Sequence, residues 1–144
     1  MKKVLLTLTL CVGLVVACSG GKTKSVTENQ QTRIDAVEVL YFHGAQRCAT
    51  CMAIEENTKA LIESAYAELL KSGKLVFRSV DITKDEALAE RYEVSWSSLI
   101  LVGYDKSGKE SATNLTEFAF GNARTTPDKF KQGLSDRITE MLNN

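Results

Sequence analysis

Tyr41–Glu63 reads YFHGAQRCATCMAIEENTKALIE, and two kinds of periodicity meet inside it. Its start closes the run AVEVLYFHG, in which β-branched and aromatic residues continue from Ala36 to Gly44, the pattern of a strand buried on both faces and therefore central in a sheet. Its end opens a helical pattern: Ile54, Leu61, Ala65 and Leu69, flanked by Ile62, Tyr66 and Leu70, recur at steps of three and four up to Gly73. That spacing predicts a long helix over 49–72, with Gly73 as its stop. At the junction stand Cys48 and Cys51, two residues apart. Such a pair is a redox couple, half of a metal site, or two buried thiols.

Downstream, KLVFRSVDI reads as a second strand and TKDEALAERY as a short helix, with Thr83 as N-cap and acidic residues in its first turn. SSLILVGYD is a third strand, KSGK a turn, and a weaker fourth strand lies within ESATNLTEFAFGN, so that strands three and four form an antiparallel hairpin. The closing segment TTPDKFKQGLSDRITEML is a helix with Thr126 as N-cap, Pro127 at its first position and an apolar stripe of Phe130, Leu134, Ile138 and Met141. The order is βαβαββα, an α/β class, and the helix between the first two strands is long enough for a parallel crossover.

The 144 residues amount to one domain, and 18 basic residues balance 18 acidic ones with no basic run, which argues against a nucleic-acid surface. MKKVLLTLTLCVGLVVAC differs from the rest: Lys2 and Lys3 precede an uncharged apolar run from Val4 to Ala17. That run has the length of a signal-peptide core and is short for a membrane span, which needs roughly 20 apolar residues. Its end, Val15-Val16-Ala17-Cys18, resembles the lipobox of bacterial lipoproteins. The resemblance implies a cleaved signal peptide over 1–17, a lipid on Cys18, and attachment to a bacterial membrane on the extracytoplasmic side. Ser19 is not the aspartate associated with inner-membrane retention, which favours an outer-membrane address over an inner one. The polar, glycine-bearing stretch SGGKTKSVTENQQTR follows, so that 18–34 reads as the lipidated cysteine plus a flexible tether, and 35–144 as the folded domain. With Cys11 removed and Cys18 lipidated, Cys48 and Cys51 are the free cysteines of the mature chain.

This element order, with C-x-x-C where the first strand meets the first long helix, resembles the thioredoxin fold in its minimal form: a central mixed sheet flanked by helices. Two cysteines in the first turn of a helix can close a disulfide. The helix's free amides and dipole favour a thiolate on Cys48, below the ordinary thiol pKa of about 8.5, and Arg47 next to it pushes the same way. The resemblance implies that Cys48 is the nucleophile and Cys51 the resolving thiol of thiol–disulfide exchange. Its partners would be protein or small-molecule thiols and disulfides, acted on by a monomer that uses no cofactor. More narrowly, His43, Gly44, Arg47, Cys48, Thr50 and Cys51 resemble an H-G-x-x-R-C-x-T-C pattern of bacterial thioredoxin-like proteins that carry arsenic-operon or nitrophenyl-reductase subunit labels. The chain has no flavin-binding or nicotinamide-binding signature, so nitroreduction is not expected.

Several positions depart from the thioredoxin pattern. Ser98, in VSWSSLIL, stands where that family has a cis-proline facing the cysteines. A cis bond before a non-proline residue costs about 3 kcal/mol, which leaves the geometry of that bond, and substrate docking with it, open. Family prolines also screen the sulfurs from metal ions. A serine there makes a second class of function reasonable: a protein that holds Cu(I), Zn(II) or trivalent arsenic through Cys48, Cys51 and His43. A third is an adapter whose disulfide stays closed. The family's buried acid has no counterpart, since Tyr41 occupies its part of the strand; Arg47 replaces the usual tryptophan, and the loop before the cysteines is one residue longer. His43 is the single histidine and reads best as a polar strand-end residue; Trp96, the single tryptophan, is either core or a substrate-facing aromatic.

Overall fold

β1 (Ala36–His43) lies between β2 (Leu75–Asp81), to which it is parallel, and β3 (Ser98–Tyr104), to which it is antiparallel; β4 (Glu110–Asn114) completes the sheet as the antiparallel partner of β3. A computed structural model describes residues 33–144. The expected signal peptide over 1–17, Cys18 and the expected tether as far as residue 32 lie outside the described residues.

The central place of β1 follows from its side chains. Val37, Val39 and Tyr41 enter one apolar cluster with α1 (Ala49–Ala65) and α5 (Pro127–Leu142), while Leu40 and Phe42 enter a second cluster with Leu88 and Ala89 of α3 (Glu86–Arg91). Period-two alternation sends neighbours to opposite faces, so a strand apolar at nearly every position must be covered on both. The exception, Glu38, is buried on the second face, where Arg33 Nη1 at 3.1 Å and Arg78 Nη1 at 3.6 Å neutralise it. Strand order 2-1-3-4 with one parallel pairing, and helices on both faces, is the thioredoxin-like α/β fold. Among the described residues no helix is long and apolar enough to cross a membrane.

Three local expectations are corrected. The long helix over 49–72 is two: α1 ends at Ala65, and α2 (Ala67–Ser72) restarts after Tyr66, whose backbone leaves helical geometry at φ −126° and ψ 24°. The Tyr66 hydroxyl reaches α5 instead, within 2.7 Å of Ser135 Oγ and donating to the Ser135 carbonyl at 3.1 Å. Gly73 does close α2, in the left-handed conformation at φ 74°. The N-cap of α3 is Asp85, whose carboxylate accepts from the Leu88 amide at 3.2 Å; Thr83 turns back to Asp81. Within ESATNLTEFAFGN the strand stops at Asn114, and α4 (Thr116–Asn122) follows. Leu115, Ala119 and Ala123 recur every four residues on its buried side, and the Asn114 side chain accepts from the Thr116 amide at 2.9 Å.

Thr126 and Pro127 begin α5 as expected, although the Thr126 hydroxyl makes no capping bond and donates to the Asn122 carbonyl at 3.3 Å. Gly133, in mid-helix, has a packing reason. A β-carbon there would stand 2.5 Å from Phe118 Cζ, on a ring that stacks against Phe130 with the Arg137 guanidinium 4.6 Å from its centroid. Alanine improves helix propensity by up to about 1 kcal/mol at an open position. Here the ring cannot yield easily, so Gly133→Ala is expected to destabilise the domain by about 1–3 kcal/mol in urea unfolding. A neutral or stabilised variant would show that α4 moves aside freely.

Candidate active site

β1 ends at His43, a short loop turns, and Cys48 becomes the N-cap of α1 with extended backbone angles, φ −77° and ψ 163°. Its sulfur takes the place of an ordinary capping oxygen, accepting from the Cys51 amide at 3.0 Å. The first turn of α1 holds no acidic side chain, so the positive end of the helix is left to the sulfur. Cys48 and Cys51 form a disulfide with their α-carbons 5.0 Å apart. Their exposures differ: Cys48 lies at the surface, whereas Cys51 is 6% exposed and packed beneath it. One cysteine meets solvent and the other is covered.

Tyr41, on the same face of β1, holds the second cysteine in place. Its hydroxyl donates to the Cys51 carbonyl at 2.8 Å, and the ring is fully buried. Burial raises the phenol above its ordinary value of 10; Ser97 beside the hydroxyl and the charge of Arg47 oppose the rise, and Glu55 adds to it. Tyr41 therefore stays a neutral donor at physiological pH.

The loop from Ser95 to Ser97 leads into β3, where Ser98 pairs with Phe42, and brings Ser97 beside this hydroxyl. Ser98 is buried, its hydroxyl donates to the Trp96 carbonyl at 3.0 Å, and no peptide bond among the described residues is cis. The bond before Ser98 is thus trans, as suits a residue without the proline ring. Trp96 is not core: it is 59% exposed, with its ring 5.4 Å from that of Phe120 on α4. α4, absent from the sequence expectation, thereby supplies one aromatic of this surface. A Leu115-Ala119-Ala123 spacing of four was the available signal.

His43 is not brought into a ligand set with the cysteines. Its Nδ1 lies 3.0 Å from the Gly44 carbonyl and must donate there, since a carbonyl only accepts, and its ring is 6.0 Å from that of Tyr41. Among the described residues, no three His, Cys, Asp or Glu side chains are grouped as metal ligands would be. Arg47 has a partner that sequence reading missed: its guanidinium contacts the Glu55 carboxylate, whose other oxygen accepts from Ser79 Oγ at 2.5 Å. Arg47 lies outside α1 and eight residues from Glu55, so no helical spacing in the sequence signals the contact.

No protein-family model and no curated protein matches the chain. Solved structures to which it is similar include Trxlp from Edwardsiella tarda, at 20% identity over 69% of this chain and 82% of that one, with a TM-score of 0.46. A thioredoxin of Fasciola hepatica is 22% identical over 74% of this chain and 82% of that one, at a TM-score of 0.46. A thioredoxin from Thermus thermophilus is 18% identical over 69% and 74%, at 0.40.

Because the folded pKa of Tyr41 is raised above the unfolded value of 10, the stability linked to it is fully present below pH 10 and is lost as pH rises through the folded value. Tyr92 and Tyr104, also lifted by burial, act in the same direction. Tyr41→Phe removes the bond to Cys51, for an expected loss of about 0.5–1.5 kcal/mol at pH 7. The same variant should lose less than the parent between pH 9 and 11. Equal alkaline slopes in urea titrations would remove Tyr41 from this account.

Proposed function

We propose that this protein is a thiol–disulfide oxidoreductase of the cell envelope, held at a membrane by a lipid on Cys18, and that Cys48 and Cys51 carry the chemistry. The single observation behind the chemistry is the asymmetry of the pair: an exposed cysteine whose sulfur caps α1 and a buried cysteine within the same turn. In the reduced protein the Cys48 thiolate attacks one sulfur of a substrate disulfide. The substrate S–S bond breaks, a mixed disulfide with Cys48 forms, and the first substrate thiolate leaves and takes a proton from water. The Cys51 thiol then loses its proton to water and attacks Cys48 Sγ. The second substrate thiolate leaves and is protonated, and the Cys48–Cys51 disulfide remains. Two electrons pass from the dithiol to the substrate. Run backwards, the same steps oxidise a substrate dithiol.

Tyr41 holds the buried cysteine by its carbonyl, Ser97 stands beside the Tyr41 hydroxyl, and Trp96 with Phe120 offers an exposed aromatic surface for an apolar part of the substrate. Support for the envelope address is the sequence alone: the basic start, the apolar core and the lipobox-like Val15–Cys18. The H-G-x-x-R-C-x-T-C pattern likewise supports kinship with the bacterial thioredoxin-like group that shares it.

The test is reduction of a protein disulfide by dithiothreitol with catalytic amounts of the soluble domain. The wild-type domain should accelerate it well above the uncatalysed rate, Cys48→Ser should abolish the acceleration, and Cys51→Ser should accumulate a mixed disulfide visible by mass spectrometry. A wild-type domain no faster than dithiothreitol alone would reject the reading. In bacteria expressing the full chain, Cys18→Ala should move the protein from the membrane to the soluble envelope fraction.

A further inference from the structure

Cys48 is preceded by a cation that is not free to serve it. Arg47 Nη1 contacts Glu55 Oε2, with both side chains only partly exposed, and the other Glu55 oxygen is held by Ser79 of β2. Glu55 stands one helical turn beyond Cys51, so its carboxylate projects on the cysteine side of α1. Ser79 is the ladder partner of Tyr41, and both Arg47 and Glu55 act electrostatically on the Tyr41 hydroxyl that bonds Cys51. The ion pair is thus anchored to β2 through Glu55, and it joins the residue before Cys48 to the residue one helical turn after Cys51. Neighbouring charges are engaged elsewhere: Lys84 pairs with Asp81 at 3.1 Å, and Arg78, on the second face of the sheet, pairs with Glu38 at 3.6 Å and with Asp85 at 3.3 Å. His43 faces Tyr41 from the end of β1.

We infer that Glu55 is a positioning residue for the exchange reaction: it holds and neutralises the Arg47 guanidinium, and so sets how much of Cys48 stands as thiolate and how strongly oxidising the pair is. The inference rests on the oxidoreductase reading. A thiolate at the N-cap of α1 gains from the helix amides whatever its neighbours do, whereas Arg47 and Glu55 act on it with opposite signs and nearly cancel. A lone arginine beside the sulfur would push the protein toward a strong oxidant. With Glu55 in place, the sulfur keeps more of its proton and more nucleophilicity per thiolate.

Titration of the Cys48 thiolate by its ultraviolet absorbance decides this, with Cys51→Ser as the parent so that Cys48 is free whether or not the protein turns over any substrate. Glu55→Gln keeps an acceptor for Ser79 and is expected to lower the Cys48 pKa by about 0.5–1 unit, and Arg47→Gln to raise it by a similar amount. The double variant should return near the parent, and both single shifts should shrink at 1 M salt, where the Debye length is about 3 Å. A merely structural role would move the melting temperature and leave the midpoints alone. No shift in Glu55→Gln, shifts of the same sign in the two single variants, or a double variant as displaced as either would overturn the inference. Should Glu55→Gln fail to fold, Arg47→Gln decides by itself, since an unchanged midpoint there is incompatible with the proposed balance. A wild-type domain inactive in disulfide reduction would instead count against the oxidoreductase reading, so the two failures are read from separate measurements.

Discussion

The structure turns on the bond between the Cys51 amide and the Cys48 sulfur. A helix begins with amides that have no partner inside it, and most chains answer with a hydroxyl or carboxylate. Here the answer is a sulfur on the N-cap residue, which commits β1 to end close by, the loop to turn sharply, and Cys51 to face inward one residue triplet later. The same bond makes the sulfur a reactive group, because the donor that satisfies a capping acceptor also stabilises negative charge on it.

What keeps this cap from fraying is packing beneath it. Ile54 and Thr58 are buried along the face of α1 that begins with Cys51, and the Tyr41 hydroxyl fixes the Cys51 carbonyl from the sheet. Polar groups inside the fold are handled by pairing across elements. Glu38 meets Arg33 and Arg78 on the second face, and Glu110 on β4 receives the Tyr92 hydroxyl at 3.1 Å together with Arg91 at the end of α3. On the cysteine side the comparable pairing is Arg47, next to Cys48 in the chain, with Glu55.

The expected elements were legible wherever local periodicity carried them. AVEVLYFHG announced a strand covered on both faces, and Phe130, Leu134 and Ile138 announced the buried stripe of α5, because alternation and a step of four record which side faces the core. Errors fell where a side chain answered to a distant element. Tyr66 breaks the long helix for a bond to Ser135 on α5. Thr116 turns its hydroxyl to the Leu99 amide of β3 at 3.1 Å, helping α4 to start where a strand pattern could have continued. Gly133, a residue of low helix propensity, is the seat of Phe118.

From its sequence alone this chain determined a parallel β–α–β unit with Cys48 and Cys51 at the turn from strand to helix, since strand and helix periods and the N-cap position are properties of residues a few places apart. Only the tertiary structure decided that Cys48 is exposed while Cys51 is covered, that Tyr41 grips the Cys51 carbonyl, that His43 turns to Gly44, and that Arg47 answers to Glu55 and Ser79. These depend on how β1, β2, α1 and the loop before β3 pack together. A charge or hydroxyl in the sequence carries no record of which distant partner the fold will bring within hydrogen-bonding distance.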